Sequence, residues 1–281
     1  MKITLAKSAG FCFGVKRAIE IAFETARLGT KVYMLGDIVH NEDVVKQIQK
    51  AGICKIKKLS TGRGKILLIR AHGACRHIFE EAKRLGFQII DATCPMVKEI
   101  HRIVKQMENK GYKIIIIGDK KHDEVHGISG QLANQAIIID PSDKLTLKKF
   151  KDYPKACVVV QSTQNLDKVL KIVRRLKAHF KELKFYNTIC RPTRLKQEEI
   201  KTLPKENDVV IVIGSKTSAN TRRLYEIAKS TNNHSFWVQS KEEIKAGWFK
   251  GAQTIGITAG ASTPEIITQQ VIAHIKKLAK V

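Results

Sequence analysis

Three times in this chain a short apolar run hands a cysteine to the start of a helical pattern. In Ile89-Ile90-Asp91-Ala92-Thr93-Cys94-Pro95, Pro95 takes a first helical position ahead of Ile100, Ile103, Val104 and Met107 at helical spacing. The same construction surrounds Cys190 in residues 183–192 and Cys12 in residues 1–15. Open α/β sheets place ligands at the turn between a strand's C-terminal end and the next helix. Helix N–H groups there also favour thiolates. A fold for this chain must therefore account for three equivalent cysteine turns, and three such cysteines can meet at one centre.

The spacing points to a repeat. Gly36 and Gly118 are 82 residues apart, as are Cys12 and Cys94; Gly118 and Gly214 are 96 apart, as are Cys94 and Cys190. Each glycine ends an apolar run (32–35, 114–117, 210–213), and four residues later stand His40, His122 and Ser218. A second family of runs covers 66–72, 158–163 and 255–262, and the cysteine strands form a third. Amphipathic helices are expected over 15–28, 42–51, 76–85, 95–110, 126–132, 165–180, 193–202, 220–230 and 264–279. β-branched runs alternating with helices predict an α/β fold with small, mainly parallel sheets. The repeat predicts three similar lobes in pseudo-threefold arrangement about a shared centre. They cover 13–95, 96–191, and 192–281 completed by the N-terminal strand 1–12.

With 281 residues, 43% of them hydrophobic, the chain is long enough for a substantial core. No apolar run approaches the roughly 18 residues of a membrane span, and the N-terminus has neither an h-region nor a cleavage site. The expected location is the cytoplasm, where six cysteines act as core fillers, metal ligands or catalytic groups rather than as a disulfide scaffold. Cys54 is expected in a loop, Cys157 in an apolar strand, and Cys75 at a helix start in a structural role. The formal net charge of +25 is spread over nearly every helix and aromatics are only 6%, which disfavours a nucleic-acid groove. A basic surface also attracts an acidic protein partner.

Three thiolates leave one position of a four-ligand site open. With zinc this gives an acidified water and hydrolysis; with a [4Fe–4S] cluster it gives one iron without a protein ligand. The spacing alone leaves both open. His40, His72, His122, Ser218, Asn220 and Ser262 all fall at strand-to-helix turns, and such donors suit an anion such as a phosphorylated ligand. Neither a Walker loop nor G-x-G-x-x-G is present, which disfavours a nucleotide. Glu124 is the natural acid of this set; its plainer reading is a first-turn helix carboxylate.

Several blocks now resemble one family. Gly10-Phe11-Cys12-Phe13-Gly14-Val15, Arg70-Ala71-His72-Gly73, Asp91-Ala92-Thr93-Cys94-Pro95, Gly214-Ser215-Lys216 and Thr258-Ala259-Gly260-Ala261-Ser262 are similar to the LytB/IspH family of 4-hydroxy-3-methylbut-2-enyl diphosphate reductases. The resemblance runs over essentially the whole chain. It implies a three-lobed fold around a [4Fe–4S] cluster, one per chain, held by Cys12, Cys94 and Cys190 with an open fourth iron. It further implies two-electron removal of the substrate's C4 hydroxyl as water, giving isopentenyl and dimethylallyl diphosphate, the last step of the methylerythritol phosphate route. It maps the diphosphate site onto His40, His72, His122, Ser218, Asn220 and Ser262. The proton-relay acid maps onto Glu124, with Ser162 or Thr163 orienting the substrate. No flavin or nicotinamide motif is visible, so electrons come from an external donor such as an acidic ferredoxin or flavodoxin. Three positions depart from the family's usual pattern: Ser162 where it often has Thr, Ala219 where many members have Ser, and Asn187 where Asp is common. They bear on substrate affinity, not on the reaction.

Two other classes make different predictions. A zinc-dependent phosphoester hydrolase is colourless and needs no electron donor. A basic nucleic-acid-binding protein binds with strong salt dependence whether or not the three cysteines are present.

Overall fold

A computed structural model describes residues 1–150 and 153–278. In chain order these form β1 (Lys2–Leu5), α1 (Phe13–Ala26), β2 (Val32–Leu35), α2 (Glu42–Lys50), β3 (Ile53–Ile56), β4 (Ile66–Ile69), α3 (Arg76–Arg84) and β5 (Gln88–Asp91). There follow α4 (Pro95–Asn109), β6 (Lys113–Ile117), α5 (Asp123–Ser129), β7 (Ile137–Ile139), β8 (Lys155–Val160), α6 (Leu166–Lys177) and β9 (Glu182–Phe185). The remainder is α7 (Arg191–Thr202), β10 (Val209–Ile213), α8 (Ala219–Thr231), β11 (Ser235–Val238), β12 (Thr254–Ala259) and α9 (Glu265–Leu278).

All three sheets are four-stranded and parallel, in the orders β3-β2-β4-β5, β7-β6-β8-β9 and β11-β10-β12-β1. In each, the glycine-ended strand lies beside the second-family strand, which lies beside the cysteine strand. Strand β1 pairs with β12, Leu5 opposite Ile257, so the N-terminus completes the sheet of the C-terminal third. Among the described residues no helix is long and apolar enough to cross a membrane.

The chain divides into two compact units. One comprises residues 1–16, 40–44 and those from 191 onward; the other comprises 17–39 and 45–190. In the first, β10 is buried along its whole length. Its Ile211 and Ile213 pack with Ile257, Val271 and Ile275, while Val210 and Val212 face Ile200, Leu224 and Ala228. In the second, Ile114, Ile116, Cys157 and Val159 pack under α4 and α5, and Ile115, Ile117, Val158 and Val160 pack against α6. Such strands read as unbroken apolar runs because helices cover both faces.

Some sequence expectations need correction. Cys54 lies in β3, not in a loop. The strands β3, β7 and β11, at the sheet edges opposite the cysteine strands, are not among the strands expected from the sequence. Helix α5 begins at Asp123, three residues before the expected start, because the His122 side chain caps it by accepting the Glu124 N–H at 3.1 Å. Helix α7 begins at Arg191, directly after Cys190, with Pro192 in its first turn. The expected end of the last helix, Ala279, lies outside the described residues.

One side chain stands in for a missing rung of the ladder. Strand β9 ends at Phe185, but the Thr188 hydroxyl donates to the Val160 carbonyl at 2.5 Å and accepts the Val160 N–H at 2.7 Å. Val160 is fully buried, so Thr188→Val leaves both of its backbone groups without a partner. The expected cost is about 2 kcal/mol or more, read as a lower urea midpoint. An unchanged midpoint would show that the hydroxyl is dispensable.

Candidate active site

The three cysteine turns share one backbone device. The Cys12 N–H donates to the Ala261 carbonyl (3.1 Å), Cys94 to Ala71 (3.0 Å) and Cys190 to Ser162 (3.1 Å). Each acceptor lies two residues beyond the end of the neighbouring second-family strand, β12, β4 or β8. Each cysteine immediately precedes a helix, α1, α4 or α7. None of the three cysteines is in a disulfide, and each is half-buried.

In the larger unit, Glu124 is the central acid. It sits in the first turn of α5, 1% exposed, and its carboxylate accepts the Ser162 N–H (2.6 Å) and hydroxyl (2.8 Å). Burial pushes its carboxyl up to about 7; the two Ser162 donors pull the other way, and nearby Asp119 adds to the rise. Glu124 is thus a first-turn helix carboxylate, as its plainer reading has it, and it is also buried. Because the His122 Nδ1 accepts a backbone N–H, its proton sits on Nε2. The His72 ring stands edge-on to that of His122, with centroids 5.5 Å apart. The Thr163 hydroxyl accepts from Gln161 Nε2 at 3.0 Å, leaving its own O–H to donate.

Helix α5 has only seven residues and is held in place by the segment that carries His72. Arg70 reaches Asp123 at 2.5 Å, Gln131 Nε2 donates to the Ala74 carbonyl at 2.8 Å, and the Cys75 thiol lies 3.2 Å from the His126 carbonyl. Gly36 makes room for Arg70: a Cβ there would lie 2.6 Å from the guanidinium, and the φ of +81° already favours glycine. His101 packs behind the same segment, and burial lowers its imidazole to about 4.

In the smaller unit, Ser218 caps α8 by accepting the Thr221 N–H, and the Ser262 hydroxyl donates to the His40 carbonyl at 3.0 Å. It is Asn41, not His40, that caps α2. Asn220 is 4% exposed, and both polar atoms of its amide lack a partner among the described residues. Glu42 ties the start of α2 to the 215–217 turn by accepting the Ser215 hydroxyl at 3.0 Å. Ala219 and Asn187 leave small traces: Ala219 is a buried first helical residue, and Asn187 Oδ1 accepts the Ile189 N–H at 3.3 Å. Arg70, Asp123, Gln161 and Glu42 escaped the sequence reading. The available signals were the polar run Gln161-Ser162-Thr163-Gln164-Asn165 directly after an apolar strand and, for Arg70, its place in the Arg70-Ala71-His72-Gly73 block.

A buried carboxyl raised to about 7, polar strand-to-helix turns and a repeated cysteine position mark the class: an α/β protein with its chemistry-bearing side chains at the C-terminal ends of parallel strands. Comparison with known proteins sharpens this. The family model described as LytB protein matches residues 3–276. The 4-hydroxy-3-methylbut-2-enyl diphosphate reductase of Caldanaerobacter subterraneus subsp. tengcongensis is 41% identical over 283 residues, covering 99% of this chain and 98% of that one. The Clostridioides difficile reductase of the same name is 39% identical over 280 residues, covering 99% and 100%. A solved (E)-4-hydroxy-3-methyl-but-2-enyl diphosphate reductase, described as the terminal enzyme of the non-mevalonate pathway, superposes with a TM-score of 0.73 at 38% identity, covering 99% and 100%. The E-1-hydroxy-2-methyl-but-2-enyl-4-diphosphate reductase of Plasmodium falciparum gives 0.88 at 30%, covering 97% and 87%. The chain belongs to the LytB family of 4-hydroxy-3-methylbut-2-enyl diphosphate reductases. It is an oxidoreductase, and family membership implies a cofactor for the reduction.

The Glu124 environment makes a prediction about stability. Its folded pKa of about 7 lies above that of an unfolded-chain carboxyl, so folding takes up a proton between about pH 4.5 and 7. The stability it contributes is fully present below that window and is lost as pH rises through 7. In urea unfolding, the wild type should lose stability relative to Glu124→Gln between pH 5 and pH 8. A difference independent of pH would mean that the carboxyl titrates normally.

Proposed function

We propose that this chain converts 4-hydroxy-3-methylbut-2-enyl diphosphate to isopentenyl and dimethylallyl diphosphate. Two electrons and two protons enter, the C4–O bond breaks, and the oxygen leaves as water. The observation that carries this reading is the double role of Ser162. Its N–H and hydroxyl hold the buried Glu124 carboxyl, and its carbonyl holds the N–H of Cys190. One residue thus fixes a proton source beside a soft metal ligand.

Cys12, Cys94 and Cys190 hold a [4Fe–4S] cluster in this reading, with one iron free of protein ligands. The donor set fits: three half-buried cysteines outside any disulfide, each fixed by the same backbone bond, are soft ligands of the kind such clusters take. When bound there, the cluster supplies the electrons and a Lewis-acidic iron. The chain's own residues do the rest. Glu124, protonated in part at neutral pH, delivers a proton through the Ser162 hydroxyl to the departing oxygen, which otherwise leaves poorly. The free O–H of Thr163 orients the same oxygen.

His40, His72, His122, Ser218, Asn220 and Ser262 take the diphosphate. The buried, unpartnered Nδ2 of Asn220 supports this, because a phosphate oxygen that accepts from it offsets about 1–3 kcal/mol of desolvation. Ala219 offers no hydroxyl beside it. The lobes 13–95, 96–191, and 192–281 with 1–12 each bring one cysteine. The strongly basic surface suits an acidic external donor, ferredoxin or flavodoxin, in the cytoplasm.

The test begins with anaerobic protein, iron and sulfide analysis, a visible spectrum and dithionite. The expected result is a brown protein with about four irons that bleaches on reduction. A colourless protein holding stoichiometric zinc would put a phosphoester hydrolase in its place. Cys94→Ser should lose both cluster and activity. Glu124→Gln should keep its iron and lose about 10²–10⁴-fold in turnover. Wild-type turnover should fall about tenfold per unit above pH 7, since the protonated carboxyl is the active form. A flat profile to pH 9 would remove Glu124 from the proton path.

A further inference from the structure

Lys196 lies on α7, six residues beyond Cys190 in sequence, and is 2% exposed. Its ammonium donates to three backbone carbonyls, those of Ser8, Gly10 (3.0 Å) and Ala259 (3.1 Å). Three helix positions later, Glu199 accepts the N–H groups of Lys7 (3.0 Å) and Ser8 (2.9 Å), and the Ser8 hydroxyl donates to the same carboxylate. One helix face thus grips segment 7–10 by both polarities, a cation on its carbonyls and a carboxylate on its N–H groups.

The segment so held leads directly to Cys12. Residues 6–12 form neither helix nor strand, and Gly10 turns the backbone with a φ of +91°. Backbone bonds pin it through Ala6 N–H to the Ile257 carbonyl (2.8 Å), Ala9 N–H to the Ala6 carbonyl (3.1 Å), Gly10 N–H to the Ala259 carbonyl (3.3 Å) and Cys12 N–H to the Ala261 carbonyl (3.1 Å). Lys196 fastens onto the same Ala259 carbonyl, so the cation joins the loop to the end of β12. An apolar side chain fills a buried site at less cost in desolvation than an ammonium does. A lysine here makes sense if its charge and its three N–H groups act on something.

We propose that Lys196, braced by Glu199, is a positioning residue that fixes Cys12 for cluster ligation and, as a buried cation, raises the cluster's reduction potential. The proposal rests on the reading of Cys12 as a ligand. Groups behind the direct ligands set both metal retention and potential, the latter through net charge and solvent exposure. A charge out of solvent is also little screened by salt. Lys196 has both properties that this role needs: it organises the ligand's loop and it brings an interior positive charge.

The test compares wild type with Lys196→Met, a side chain of similar length without charge or donors, as full-length chains reconstituted anaerobically with iron and sulfide. Folding of the cluster-free chains is checked by circular dichroism. Iron release to a chelator and the midpoint potential are then read on the loaded proteins. The folded variant should release iron about 10–100-fold faster and have a more negative midpoint. A folded Lys196→Met protein with wild-type release and midpoint overturns the proposal. If that variant does not fold, Glu199→Gln decides, since it leaves the buried cation in place and weakens only the grip on Lys7 and Ser8. Faster iron release supports the proposal, and the wild-type rate overturns it. A wild-type chain that forms no cluster at all would instead overturn the ligand assignment beneath it.

Discussion

The structure depends on one repeated backbone hydrogen bond. A cysteine N–H reaches the carbonyl two residues past the end of the adjacent central strand, once in each of three sheets. That bond carries strand pairing just beyond the sheet. The cysteine then falls at the last position before a helix, where the chain reverses and backbone N–H groups point outward. Parallel sheets with helices on both faces provide such an edge at every strand's C-terminal end. The buried β6, β8 and β10 make that edge rigid, so a half-exposed thiol can sit on a stiff support.

Polar groups beyond the edge are held in the same economical way. Helix α5 has seven residues, too short to be stable alone. Its apolar residues Val125 and Ile128 anchor one side, and bonds from Arg70, Cys75 and Gln131 tie it to the segment carrying His72. His72, His122 and Glu124 consequently belong to one locally braced piece. The gain from binding a ligand is not spent on ordering them. Ser162 connects this piece to Cys190.

Much of this could be read from the residues. Central and cysteine strands announce themselves as apolar runs, and equal spacing of glycines and cysteines separates three copies from chance. Strand β3 does not, because exposed Cys54 and Lys55 interrupt it between Ile53 and Ile56. The start of α5 was hidden for a related reason: histidine is a weak signal for a helix cap, where Ser, Thr, Asp and Asn are expected. The turns holding His40, Ser218 and Ser262 were placed correctly, but the residue that caps α2 is the neighbouring Asn41. Which groups are buried, and how burial changes their chemistry, was not legible at all. A glutamate in a first turn and a lysine in mid-helix look like solvated surface. Glu124 is buried by Ser162, 38 residues away, and Lys196 by Ser8, 188 residues away.

Glu124 and Lys196 show two opposite ways of keeping an ionisable group inside a protein. Glu124 receives two donors, both from Ser162, and burial outweighs them, so its proton is held loosely enough to exchange near neutral pH. Lys196 meets three carbonyls, which match an ammonium's three N–H groups. A neutral amine has only two N–H groups, so loss of a proton would leave one of these carbonyls unmatched. The first arrangement leaves a carboxyl that can exchange its proton near neutral pH, and the second favours the charged form of the amine. A reductive dehydroxylation needs both: a proton for the leaving oxygen, and a local field that favours an added electron.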